Sequence, residues 1–122
     1  FSKNGITKEG MLKTFKLQLF DENKITDDII NERYEIAQQQ PKHVIASMRV
    51  NNQQEDLKNI AVPILGFWGK NDKFCPPTGA TKLQENCRDI RMVTLSNCGH
   101  WVMVEHKHLF NNITLTFLKE FE

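Results

Sequence analysis

A short, almost fully apolar run at residues 62–68 most constrains what this chain can fold into. Its pattern, Val-Pro-Ile-Leu-Gly-Phe-Trp, is that of a strand buried on both faces of a parallel sheet. Residues 78–86 predict a short helix, residues 92–95 a second strand, and residues 105–121 an amphipathic helix. The side chains we expect this last helix to bury are Leu109, Phe110, Ile113, Leu115, Phe117 and Leu118. Strand, helix, strand, helix is a βαβα unit, and right-handed crossovers make its two strands parallel.

The first half of the chain is predicted to be helical. Residues 7–20 carry a broad apolar face, and the turn-forming residues that follow end the helix. Thr26 is expected to cap a second helix, which runs to about Gln40, because the acidic residues after it suit the positive end of a helix dipole. A third helix is predicted from His43 to Val50.

The polar, aperiodic stretch at residues 51–56 marks an internal boundary. We therefore expect a helical segment at residues 1–54 and an α/β segment at residues 55–122. Two parallel strands are not a stable sheet by themselves, so an apolar edge and face are expected to be uncovered. Such a surface favours association, and we expect a dimer or higher oligomer.

Composition excludes several classes of function. A chain of 122 residues with a formal charge of +1 is one domain at most, and no block of like charges indicates nucleic-acid binding. No apolar run approaches the roughly 18 residues that a membrane span needs. Three cysteines argue against a secreted disulfide framework and, with no leader sequence after Phe1, predict a cytoplasmic protein.

Two loops, each following a predicted strand, display one side chain suited to catalysis. Asp72 follows the first strand by a few residues, and His100 follows the second in the same way. Ligands of open α/β sheets bind outside the carboxyl ends of the strands, so both side chains should project into one crevice. A carboxylate bound to a histidine sets its tautomer and stabilises its protonated form. Acid before base, both near the end of the chain, is the order of the α/β-hydrolases.

The residues around these loops resemble a known family. The motif Trp-Gly-x-x-Asp-x-Phe-x-Pro begins at Trp68, and Ser-x-Cys-Gly-His-Trp begins at Ser96. Further matching residues are Phe20-Asp21, Ile25-Thr26, Ile29-Ile30, Glu32-Arg33-Tyr34-Glu35, Glu105-His106 and Phe110-Asn111. Together they resemble the meta-cleavage product hydrolases, α/β-hydrolases that cleave a C–C bond in 2-hydroxy-6-oxohexa-2,4-dienoates during aromatic-ring degradation. The resemblance covers most of the chain and implies that residues 1–54 are the helical lid.

The resemblance also implies roles for four residues. Asp72 is the expected acid and His100 the expected general base of a catalytic triad. Trp101 is expected to line the site beside the histidine. Arg33 is expected to reach from the lid to the oxygens of the substrate, a role that suits a planar cation with several donors.

The expected nucleophile is absent from the sequence. An α/β-hydrolase carries it on a Gly-x-Ser-x-Gly turn, and none of the six glycines frames a serine in this way. The chain is therefore expected to be the C-terminal part of a hydrolase, inactive alone and able to associate with the missing N-terminal portion. Two alternatives stay open: another lidded α/β-hydrolase such as an esterase or haloalkane dehalogenase, or an inactive oligomeric remnant that serves as an interaction module.

No cofactor is implied, because triad chemistry uses only side chains and water. Cys98, His100, His106 and His108 include zinc-ligand types, but their spacing does not favour a metal site. The cysteines are expected to be small buried hydrophobes rather than nucleophiles.

Overall fold

The computed structural model describes residues 6–41, 43, 47 and 49–122. The N-terminal helices are α1 (Lys8–Gln18) and α2 (Asp27–Gln38), with a 3₁₀ turn at Glu22–Lys24 between them. After a 3₁₀ helix at Gln54–Asn59, the chain forms β1 (Ile64–Gly69), α3 (Thr78–Asn86), β2 (Ile90–Leu95), α4 (Val102–Glu105) and α5 (Lys107–Lys119). This order is a helical segment followed by an α/β segment, as the sequence predicts.

Capping side chains set the beginnings of α1 and α2. The Thr7 side chain accepts a hydrogen bond from the N–H of Gly10, and the Thr26 side chain accepts one from Ile29, which confirms the predicted cap. Helix α1 ends at Gln18, before the expected end at residue 20, because Leu19 is extended and only 2% exposed. The helix predicted from residue 43 to residue 50 falls largely outside the described residues.

The two strands are parallel, as expected, and pair from Ile64 opposite Ile90 to Gly69 opposite Leu95. The expectation that the first strand is buried on both faces is wrong. Its residues from Ile64 to Trp68 are only half-buried, and Val62 just before it is 65% exposed. The physical reason is the size of the sheet: in the described part of the chain, β2 is the only strand that pairs with β1.

The C-terminal helix, expected from residue 105, begins at Lys107, and the short helix α4, which the sequence pattern does not predict, precedes it. The backbone of His106 is not helical, with φ −124° and ψ 45°, and it separates α4 from α5. The expected burial is correct only in part, because α5 turns one face inward, where the Phe67 and Phe110 rings lie 4.6 Å apart. Phe110, Ile113 and Phe117, spaced as one helical face, are half-buried. Leu109, Leu115 and Leu118 are between 42% and 56% exposed, so the prediction that they are buried is wrong.

The N-terminal helices contact the loop that follows β2. The Phe15 and Trp101 rings lie 5.0 Å apart, and the N–H of His100 donates to the carbonyl oxygen of Gln18 at 2.6 Å. These contacts bring the helical segment to the carboxyl end of the strands. Within the ranges that the structure describes, none of the helices combines the length and apolar character needed to span a lipid bilayer.

Candidate active site

Backbone hydrogen bonds hold the Asp72 side chain at the carboxyl end of β1. Its Oδ1 atom accepts from the N–H groups of Phe74 and Cys75, at 2.8 Å each. The carboxylate is nearly inaccessible, with 3% of the side chain exposed. Two backbone donors on one oxygen fix the rotamer and leave Oδ2 to face another group.

The loop after β2 is pressed against the loop after β1. The N–H of Asn71 donates to the carbonyl of Cys98 at 2.9 Å, and the N–H of Asn97 donates to the Asn71 side chain at 3.0 Å. Glycine is required at position 69, because a Cβ there would collide with the backbone of Cys98 and Gly99. This close approach carries His100 to Asp72.

His100 and Asp72 form a direct pair. The Nδ1 atom of His100 lies 2.9 Å from Oδ2 of Asp72. A carboxylate at Nδ1 favours the tautomer that carries its proton there, so that Nε2 has the free lone pair. Among the described residues, no hydrogen bond is made to Nε2, and the His100 side chain is 34% exposed. This geometry can accept a proton at Nε2 and stabilise the resulting cation.

Aromatic rings flank the histidine. The Phe74 ring lies 5.0 Å from the imidazole, and the Trp101 ring lies 5.0 Å from the Phe15 ring of α1. The guanidinium carbon of Arg33 lies 5.7 Å from the centre of the Trp101 ring, a cation–π distance. The structure therefore brings all four sequence-predicted residues to one region, with Asp72 bonded to His100 and Arg33 contacting Trp101.

Glu105 belongs to the Glu-His motif, to which the sequence assigns no role, and its side chain makes three hydrogen bonds in the structure. Its carboxylate accepts from the backbone N–H groups of Phe20, Asp21 and Gly99, at 2.7, 3.0 and 2.6 Å. The sequence signal was its place five residues after His100, but the donors come from segments that no local pattern connects.

Cys98 is fully buried, and burial is the main cause that raises the pKa of its thiol to about 11, with the nearby Glu105 carboxylate adding to the shift. The pKa of Cys75 is also raised, mainly by burial and to a smaller extent by the negative charge of Asp72. A thiol that remains protonated is a poor nucleophile. Across the described part of the chain, His, Cys, Asp and Glu side chains do not gather in a group of three that could bind a metal ion.

The parallel strand pair, its flanking helices and the Asp72–His100 pair at the strand ends match part of an α/β-hydrolase fold. Solved structures agree. A meta-cleavage product hydrolase (CumD) superposes with a TM-score of 0.79 at 25% identity, over 93% of this chain and 46% of that one. A serine hydrolase involved in carbazole degradation superposes with a TM-score of 0.76 at 30% identity, over 98% of this chain and 50% of that one.

Curated relatives specify the group within that fold. The chain is 36% identical over 121 residues to the 2-hydroxy-6-oxo-6-(2'-aminophenyl)hexa-2,4-dienoic acid hydrolase of Metapseudomonas resinovorans, covering 92% of this chain and 42% of the relative. It is 32% identical to the 2-hydroxy-6-oxononadienedioate/2-hydroxy-6-oxononatrienedioate hydrolase of Comamonas testosteroni, covering 92% of this chain and 41% of the relative. No family model matches the sequence.

The chain is therefore homologous to the meta-cleavage product hydrolases, as its motifs indicate. It spans less than half the length of these curated relatives. This is the match expected of a chain that corresponds to the C-terminal part of such an enzyme. An esterase from Exiguobacterium antarcticum also superposes with a TM-score of 0.74 at 21% identity, which shows the shared fold and not a shared substrate.

Proposed function

We propose that Asp72 and His100 are the acid and base of a serine-triad hydrolase that cleaves a C–C bond in 2-hydroxy-6-oxodienoates. The observation that carries this proposal is the 2.9 Å contact between Asp72 Oδ2 and His100 Nδ1. The homology to dienoate hydrolases supports the choice of substrate class over other substrates of the fold.

The geometry suits proton transfer at Nε2 of His100. Nε2 takes the proton of the attacking hydroxyl, and Asp72 stabilises the imidazolium that forms. In the chemistry that the homology implies, the dienol is first converted to its keto tautomer. The hydroxyl then attacks the distal ketone, a carbanion equivalent leaves and is protonated, and water releases the acyl group.

Residues 1–54 are proposed to be the lid of this site, and Arg33 and Trp101 its substrate contacts. Arg33 is exposed beside Trp101, and Trp101 follows the candidate base directly in the chain. A cation at this place suits the carboxylate or the enolate oxygens of a dienoate. When the substrate binds, its negatively charged oxygens replace the Trp101 ring as the partner of Arg33.

The nucleophile is proposed to lie on polypeptide outside these 122 residues. The sequence has no Gly-x-Ser-x-Gly turn, and its relatives contain more than half of their length beyond the matched region. Half-buried β1 and exposed side chains such as Val62 and Leu115 provide an apolar surface for that polypeptide. In its absence, we propose that the chain covers the same surface with a second copy.

A turnover assay with 2-hydroxy-6-oxo-6-phenylhexa-2,4-dienoate tests this proposal, because cleavage removes the conjugated chromophore. Light scattering and denaturing mass spectrometry on the same material identify any second polypeptide. We expect no turnover from a homogeneous 122-residue chain, which should elute as a dimer or larger, and turnover only where a serine-bearing polypeptide co-elutes. Turnover by the homogeneous chain contradicts the proposal, and a monomer at high concentration contradicts the association.

A further inference from the structure

We propose that Glu105 is a positioning residue that fixes the His100 loop to the chain leaving α1. The proposal deepens the proposed function, because it concerns how the acid–base pair is held and how it is coupled to the lid. The observation behind it is one carboxylate that accepts hydrogen bonds from two segments about 80 positions apart in the sequence.

The two oxygens of Glu105 serve different segments. Oε1 accepts from the N–H groups of Phe20 and Asp21, where the chain leaves α1. Oε2 accepts from the N–H of Gly99 at 2.6 Å, one residue before the candidate base. The carboxylate is therefore a bridge between the helical segment and the histidine loop. Hydrogen bonds to an ionised acceptor are among the stronger ones in proteins.

Neighbouring contacts limit how far the two bridged segments can move relative to each other. The N–H of His100 donates to the carbonyl of Gln18, beside the residues that Glu105 holds. A Cβ at Gly99 would collide with the carbonyl of Gln18, so the two segments are in backbone contact. Lys24 donates to the backbone carbonyl of Glu105 at 3.0 Å and ties α4 to the same segment. A displacement of either segment would therefore move the His100 backbone.

The acceptor-only character of a carboxylate is essential to the bridge. A glutamine has nearly the same shape, but it offers one acceptor oxygen and one NH₂ donor. In Glu105→Gln, the oxygen can satisfy Phe20 and Asp21 or it can satisfy Gly99. The NH₂ group then faces an N–H donor on the other side, so one of the two links must be lost.

The test is hydrogen exchange and ring ¹⁵N chemical shifts, measured by NMR on the full 122-residue chain. In Glu105→Gln, we expect amide exchange to accelerate roughly tenfold or more at Gly99, or at Phe20 and Asp21, while the amides of β2 keep their protection. We also expect the His100 ring to lose its strict Nδ1–H tautomer. Glu105→Asp keeps an acceptor-only carboxylate and should restore part of both signals, whereas Glu120→Gln, which removes an exposed carboxylate paired with Arg91, should change neither.

A purely structural role predicts a different result. Exchange would then accelerate equally at β2 and at the bridged amides, with the His100 tautomer unchanged in the folded molecules, and this outcome overturns the proposal. Unchanged exchange at all three bridged amides overturns it as well. These readouts need no turnover, so turnover by the homogeneous 122-residue chain together with a positive exchange result rejects the proposed function and leaves the positioning role of Glu105 standing.

Discussion

Nδ1 of His100 lies 2.9 Å from Oδ2 of Asp72, although the two residues are 28 positions apart in the sequence. The other oxygen of Asp72 is held by two backbone N–H groups, and the His100 backbone is held by the carbonyl of Gln18. Both partners are therefore fixed independently of their mutual hydrogen bond. This is the preorganisation that proton transfer by a histidine requires.

Asp72→Asn should change the tautomer of His100 while the fold is retained. The asparagine oxygen can still accept from Phe74 and Cys75, but its NH₂ group then faces Nδ1 and makes that atom an acceptor. The proton should move to Nε2, where it blocks the function of the base. Ring ¹⁵N chemical shifts, recorded at a pH where the imidazole is neutral, measure this directly.

Asp89→Asn is the control for that substitution, because Asp89 is exposed and lies outside the pair. Its spectrum should show the Nδ1–H tautomer of the unsubstituted chain. The same tautomer in Asp72→Asn would contradict the role given to Asp72.

Asn97 has a φ of 54°, in the left-handed region, and it is the residue that turns the chain toward His100. Its N–H donates to the Asn71 side chain and its carbonyl accepts from His106, so both contacts use the backbone alone. Asn97→Gly should leave the free energy of unfolding within about 0.5 kcal/mol, because glycine adopts this conformation readily. Asn97→Ala should lower it by about 1 kcal/mol. Urea unfolding curves give the free energy of unfolding of both variants. Equal values would show that the left-handed backbone conformation at position 97 does not determine this difference in stability.

Cys98 should be the slowest of the three cysteines to react with iodoacetamide at pH 8. It is fully buried with a thiol pKa of about 11, whereas Cys75 is partly accessible. The thiolate is the reacting form and the reagent must reach it, so its greater exposure favours Cys75. Peptide mass spectrometry after timed labelling gives the order. Cys98 should be labelled only on unfolding in urea, and rapid labelling of the native chain at this position would contradict its burial.

The same thiol makes stability depend on alkaline pH. The folded state holds the Cys98 proton more tightly than the unfolded chain, with a pKa of about 11 against 9.0. The contribution of this thiol to the free energy of unfolding is therefore complete below about pH 9 and is lost as the pH rises toward 11. The expected loss is on the order of 2 kcal/mol. Urea unfolding between pH 8 and 11 measures it, and Cys98→Ala should show a smaller loss across this range. If the free energy of unfolding falls equally with pH in both proteins, the loss of stability comes from groups other than Cys98.

The contact between Asp72 and His100 could be predicted from the sequence because its signals are local. Asp72 and His100 each follow an apolar strand, and the carboxyl ends of parallel strands lie at one edge of a sheet. The parallel βαβα order was predictable for the same reason, since each element has its own pattern. The Gly-His-Trp and Glu-His motifs then indicated the family to which the comparisons show homology.

Burial and long-range contacts could not be predicted in this way. The apolar pattern of residues 62–68 is that of a fully buried strand, but burial depends on how many strands and helices surround it. The same limit applies to Leu115 and Leu118, which a helical pattern alone assigns to the core. The three donors to Glu105 are backbone groups, which have no sequence signature. The position of Arg33 over Trp101 likewise depends on how the helical segment packs.

If His100 is the base for a nucleophile on other polypeptide, it should act as a base in a chimera that supplies this polypeptide. In the Metapseudomonas resinovorans hydrolase, the region that aligns with this chain is replaced by this sequence, which is 36% identical to it over the alignment. We predict dienoate turnover by the chimera, none by the 122-residue chain alone, and a loss of roughly 10³-fold or more in kcat when the chimera carries His100→Ala. Turnover by the chimera that His100→Ala leaves unchanged would show that His100 is not the base.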